Sequence, residues 1–181
     1  MKKTTTLSLF TLLFIVQSLF ANEDGSTRTR LEDLKMQKRF GIGLAAAGGL
    51  SVLGIEADFN LSEVISISGG IGTGLDYSTF AVKAKYYLLG ESVSPYFAAG
   101  VARWWTNGTR EKNIGPSVLV NNFLETRDYT DGFSIWILYP AVGVQFFSAM
   151  GVSVYAEVQY LFKVFNFANG TYAGLGAYWY F

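Results

Sequence analysis

Thr171 to Phe181 reads T-Y-A-G-L-G-A-Y-W-Y-F. In an extended chain successive side chains point to opposite faces, so Phe181, Trp179, Ala177, Leu175 and Ala173 share one face. Tyr180, Tyr178, Gly176, Gly174 and Tyr172 share the other. Neither face carries a charge, and the segment stops on an aromatic residue with no polar tail. Termini in water ordinarily fray. A strand that ends this way is expected where one face meets lipid and the other a packed lumen.

The opposite end of the chain supports an exported protein. Lys2 and Lys3 precede an apolar run from Leu7 to Phe20, and the sequence turns polar at Asn22. This pattern predicts a secretory signal peptide over residues 1–21, cut after Ala21, or after Ser18 because Leu19 is bulky for the minus-three position. The run is shorter than the ~20 apolar residues of a spanning helix and is broken by Ser8, Thr11, Gln17 and Ser18. Removing the leader leaves 12 basic and 14 acidic side chains, a formal charge of −2. That balance argues against a nucleic-acid partner. With no Cys there are no disulfides, so stability must come from sheet closure and packing.

Residues 22–38 are the most charged part of the chain and are expected to form a solvated periplasmic N-terminal extension. From Arg39 the period becomes two. The first segment, 39–47, sets Phe40, Ile42 and Leu44 against Gly41, Gly43 and Ala45, and Gly48-Gly49 reads as a tight turn. The second sets Leu53, Ile55, Ala57 and Phe59 against Gly54, Glu56 and Asp58. The third opposes Ile65, Ile67 and Ile71 to Ser66, Ser68, Gly70 and Gly72. The fourth opposes Phe80, Val82, Ala84, Tyr86 and Leu88 to Thr79, Ala81, Lys83, Lys85 and Tyr87. In the fifth, 95–106, placing Arg103 inward would turn Tyr96, Ala98, Gly100, Ala102 and Trp104 toward lipid. The sixth contains Pro140, where a bulge is expected. The seventh opposes Val154, Ala156, Val158 and Tyr160 to Ser153, Tyr155, Glu157, Gln159 and Lys163, and Asn169-Gly170 signals the last hairpin.

Eight such segments predict an all-β, eight-stranded antiparallel up-and-down transmembrane β-barrel over residues 39–181. Residues 107–131 are too long for an idle connection. They follow the fifth strand, which places them on the extracellular side when the chain starts in the periplasm. The strand start Pro95-Tyr96-Phe97-Ala98-Ala99-Gly100 and the terminal Phe181 resemble the small outer-membrane barrels of the OmpA/OmpX type. The resemblance implies a bacterial outer-membrane location, contact with outer-membrane lipid and lipopolysaccharide, and recognition by the barrel-assembly machinery of a C-terminal signal carried by Leu175, Ala177, Trp179 and Phe181. The C-terminal peptidoglycan-binding domain of OmpA finds no counterpart in residues 39–181, so its anchoring role is not among the expectations.

The inward faces gather Glu56, Asp58 and Glu157 with Lys83, Lys85, Arg103 and Lys163, an expected lumen charge network. A barrel of eight strands is about filled by its own side chains. The network therefore reads as a salt-bridged plug, with a narrow channel for small solutes or lipophilic molecules as the alternative. The glycine run Gly69 to Gly74 is not a phosphate loop, since no Lys-Ser/Thr and no helix follow it. The chain has no His, which removes the usual base of hydrolases and acyltransferases and the commonest metal ligand. The expectation is a non-enzymatic protein with no cofactor and no metal, whose 107–131 loop serves surface structure or meets an extracellular ligand.

Overall fold

The computed structural model describes residues 35–74, 77–88, 92–106, 123, 132–165 and 168–181. Lys35 to Gln37 form a short helical turn. Eight strands follow: β1 (Phe40–Ala46), β2 (Leu53–Asn60), β3 (Ile65–Thr73), β4 (Tyr77–Tyr87), β5 (Val93–Thr106), β6 (Ser134–Phe147), β7 (Val152–Lys163) and β8 (Asn169–Tyr180). Each pairs antiparallel with its sequence neighbour, and β1 pairs with β8, so the sheet is a closed barrel. The predicted leader, residues 22–34 of the extension and all of the 107–131 connection except Phe123 lie outside the described residues.

Alternation sets the two faces. Ile42, Leu44, Ile55, Ile71, Phe97, Val142, Val158, Leu175 and Trp179 stand exposed on the outer wall, a belt of large apolar side chains with no protein against it. The inner positions hold Tyr87, Tyr96, Trp104, Tyr139, Tyr155, Tyr178 and Tyr180 with the buried charges. Small residues opposite the large ones make the interior fit. A Cβ added at Gly176 would meet the Tyr155 ring, and one at Gly100 the Tyr139 ring.

Three local expectations are corrected. In β5 the register is the reverse of the predicted one: Tyr96, Ala98, Ala102 and Trp104 are buried inside, and Arg103 stands on the outer wall. The polar tips decide it, because the Tyr96 hydroxyl donates to Glu157 Oε2 at 2.7 Å and the Trp104 indole donates to the Gly49 carbonyl at 2.8 Å. At Pro140 there is no bulge. Pairing with β7 breaks between Leu138↔Phe162 and Ala141↔Gln159 and resumes in the same register, while pairing with β5 runs straight through Ala99↔Pro140. The missing N–H costs ladder bonds on one side without inserting a residue. Asn169 and Gly170 lie inside β8, paired with Phe162 and Leu161.

The β1–β8 seam depends on Gly43, where a side chain would collide with the Ala177 carbonyl oxygen and the Tyr178 ring. Gly43→Ala is expected to lower the unfolding free energy by about 1–3 kcal/mol through forced backbone displacement. Guanidinium titration followed by tryptophan fluorescence should show the lower midpoint, whereas Ala99→Val on the outer wall should leave it unchanged.

Candidate functional site

The interior is built around carboxylates from β2 and β7 and lysines from β4. Lys83 Nζ lies 2.7 Å from Glu157 Oε1 and 3.4 Å from Glu56 Oε1, and Lys85 Nζ lies 2.9 Å from Asp58 Oδ1. Tyrosine hydroxyls complete the shell. Tyr155 and Tyr178 donate to Glu56 Oε2 at 2.8 and 2.6 Å, Tyr180 donates to Asp58 Oδ2 at 2.7 Å, and Tyr96 donates to Glu157 Oε2. Ser66 donates to Asp58 Oδ1 at 3.2 Å and Gln159 Nε2 to Glu157 Oε1 at 2.7 Å. Every carboxylate oxygen in the cluster thus meets a donor, the condition under which charge survives burial. Groups so engaged leave little lone-pair capacity for a substrate. Among the described residues no group of His, Cys, Asp and Glu is placed to hold a metal.

Both ends of this cluster are covered. At the end away from the chain termini, the β1–β2 connection folds into the barrel as a 3₁₀ turn, Gly48–Leu50, with all three residues buried. The predicted tight hairpin turn is replaced by this inward one. Its flanks are strained, with Ala47 at φ 65° and Ser51 at φ 66°, left-handed positions that cost ~1–3 kcal/mol each. Side chains from three other strands hold it there. Gly49 N–H donates to Gln159 Oε1 at 2.8 Å, Trp104 Nε1 donates to the Gly49 carbonyl, and Thr79 Oγ1 donates to the Leu50 carbonyl at 3.0 Å. Ser51 and Tyr77 share a hydroxyl hydrogen bond. Above the turn, Phe123 from the long connection packs edge-on against Trp104 at 5.8 Å and is 1% exposed.

At the terminal end, the segment expected to be solvated puts one residue inside. Lys35 is 1% exposed, and its Nζ sits 2.8 Å from the centroid of the Tyr87 ring with no hydrogen-bond partner. Neighbouring bonds fasten the segment to the rim: Lys38 Nζ donates to the Met150 carbonyl at 2.9 Å, and Asn60 Nδ2 donates to the Lys38 carbonyl at 3.3 Å. Burial pushes the Lys35 ammonium down to about 7, against the pull of Asp58 and with the repulsion of Lys85. The strands alone bring three carboxylates against Lys83 and Lys85 into the cluster, and Lys35 lies beside it over the Tyr87 ring.

The structure therefore gathers Glu56, Asp58, Lys83, Lys85 and Glu157 and separates the other two expected members. Lys163 faces inward but bonds the Phe123 carbonyl at 3.1 Å, apart from the cluster. Arg103 is outside, where its Nε and Nη2 donate to Ser134 Oγ at 3.2 and 3.1 Å. Leu175, Ala177, Trp179 and Phe181 all stand on the outer face. Sequence reasoning missed Tyr155, Tyr178 and Tyr180 as partners of the carboxylates, although the alternation of β7 and β8 already put them on the inner face. Lys35 carried no local signal.

No family model and no curated protein matches the chain. Among solved structures, the N-terminal β-barrel domain of Pseudomonas aeruginosa OprF is similar with a TM-score of 0.59 at 12% identity, covering 80% of this chain and 98% of that one. The Yersinia pestis outer-membrane protein Ail in a phospholipid bilayer nanodisc gives a TM-score of 0.43 at 16% identity, over 80% of this chain and 98% of that one. The Ail crystal structure gives 0.40 at 14%, over 79% and 94%. The superposition on the OprF domain shows that the two share the eight-stranded antiparallel barrel fold.

Two outcomes follow from the cluster. Lys85→Met strands Asp58 and is expected to cost about 3–5 kcal/mol, while the pair Lys85→Met with Asp58→Asn recovers most of it, as denaturant titration in detergent would read. For Lys35 the ammonium titrates near 7 when docked and at 10.5 when released, so the released state holds more protons between those values. Docking should therefore strengthen about tenfold per unit as pH rises through that window and be weakest, and flat, below it. A spin label on Gln37→Cys, in a chain with no Cys, should lose mobility with rising pH, and Lys35→Met should abolish the dependence.

Proposed function

We propose that the chain spans the bacterial outer membrane as a non-enzymatic, non-conducting barrel. Its terminal end faces the periplasm, and its 107–131 connection stands outside as a surface for structure or ligand contact. The observation that carries this reading is the filled lumen. Between the inward turn and the central ion pairs, the cavity bounded by Leu50, Glu56, Lys83, Tyr139, Glu157 and Gln159 measures ≈ 10 Å³, room for about one water molecule. The apolar belt on the outside, broken among the described strand residues by the one charge of Arg103, supports the membrane part, because soluble monomers rarely expose such a surface. Membrane barrels leave no open sheet edge to lipid because the sheet closes on itself, and this sheet is closed. In this reading a signal peptide over 1–21 directs export, and Leu175, Ala177, Trp179 and Phe181 present the assembly machinery with an apolar face.

Unboiled protein in detergent should migrate differently from boiled protein on a gel, and a chain that stays dissolved without detergent would overturn the membrane assignment. In planar bilayers the inserted protein should carry no stable current. Steady conductance that disappears in Lys83→Met/Lys85→Met would replace the closed reading with a narrow solute path.

A further inference from the structure

Arg103 is the one charged side chain on the outer face of the eight strands among the described residues; the other six in the strands are buried. A lone cation on a wall of hydrocarbon-facing side chains is unfavourable, least so near the membrane interface. It lies three residues from the end of β5, roughly 10 Å at strand rise, so the interface is within reach. Its surroundings are arranged. The guanidinium carbon is 5.8 Å from the Trp105 ring and 5.6 Å from the Trp136 ring, and Ser134 Oγ takes two of its five N–H donors. The Nη1 edge is left pointing away from that hydroxyl.

An apolar groove of ≈ 520 Å³ opens beside it on the same wall, lined by Leu44, Leu53, Ile55, Ile71 and Trp105 with Thr73 and Ser78 at its upper edge. The strand registers join the two features. One row of outward side chains runs Ile55↔Ile71↔Phe80↔Arg103, and the next runs Leu53↔Thr73↔Ser78↔Trp105. Trp105 belongs to both, lining the groove and flanking the cation.

A fixed guanidinium with a free donor edge recognises a phosphate in a planar, paired fashion. A long apolar groove continuous with it accepts an acyl chain. We propose that Arg103, Ser134, Trp105 and the adjoining groove form a binding site for one phosphate-bearing lipid of the leaflet at the end away from the termini. The headgroup phosphate sits on Arg103 and one acyl chain lies along Leu53, Ile55 and Ile71. This site rests on the membrane-spanning reading above. The phosphate can come from a phosphorylated glycolipid, a glycerophospholipid or free phosphate, and the assignment is to a lipid.

The test is native mass spectrometry of the full chain released from maltoside micelles carrying diphosphoryl lipid A, dimyristoylphosphatidylglycerol or uncharged dimyristoylglycerol. Wild type should retain one phosphate-bearing lipid about tenfold more than the uncharged one, the scale of a hydrogen bond to a charged group. Arg103→Gln should lose that preference, and Arg103→Lys should keep part of it as a point charge. Which phosphorylated lipid is retained better identifies the source. Equal retention by wild type and Arg103→Gln, both heat-modifiable on gels, overturns this site and leaves the membrane reading intact. Absence of the gel shift in wild type overturns both. Displacement of the lipid by excess inorganic phosphate would mean that the groove contributes nothing, and it overturns the lipid assignment.

Discussion

Closing eight strands on themselves leaves an interior about as wide as the side chains that point into it, and everything else in this barrel answers to that limit. Charge placed there cannot reach bulk water, so each carboxylate must find its donors within the wall. Glu56, Asp58 and Glu157 do so from four tyrosines, two lysines, a serine and a glutamine on five different strands. Bonds of this kind tie strands that are not neighbours in the sheet. They make the circular arrangement mutually dependent, since loss of one cation leaves several donors and acceptors without counterparts.

The ends of the barrel follow from the same constraint. The strands supply three carboxylates and two lysines to the cluster, and Lys35 enters beside it from a segment rich in charge, where burial outweighs the pull of Asp58 on its ammonium. At the other end Trp104, Gln159 and Thr79 each need a partner, and the carbonyls and N–H of Gly49 and Leu50 provide them. The positive φ angles at Ala47 and Ser51 are sustained because these bonds over-determine the turn. The interior is therefore closed by backbone on one side and by an ammonium over a phenol ring on the other.

Most of the sheet was readable from residue alternation, and the reasons are specific. In β2, β3, β4 and β7 one face carries charge, serine or glycine and the other β-branched or aromatic residues, so the pattern has a single solution. β5 has no such contrast: Phe97, Val101 and Trp105 are as apolar as Tyr96, Ala102 and Trp104. The single charge at Arg103 then pointed the wrong way. What decides β5 is the hydrogen-bonding need of a tyrosine and an indole, whose partners lie on β7 and in the β1–β2 turn. Lys35 was illegible for a related reason, because a lysine in a charged run looks solvated until the Tyr87 ring that receives it, far along the chain, is known. The inward course of Gly48–Leu50 likewise depends on donors from β4 and β5 and an acceptor from β7.

The seam between β1 and β8 has a consequence for how the molecule comes into being. Its ladder is short, from Gly41↔Tyr180 to Ala46↔Leu175, whereas β5 and β6 pair from Val93↔Phe146 to Trp105↔Ser134. The ring is shut only when β8 docks on β1, with Phe181 N–H donating to the Phe40 carbonyl at 2.9 Å. Until then β1 is an unpaired edge that invites aggregation. Circularisation of the sheet is thus a step distinct from the pairing of sequence neighbours, and the short ladder is the natural gate through which the finished ring would also come undone.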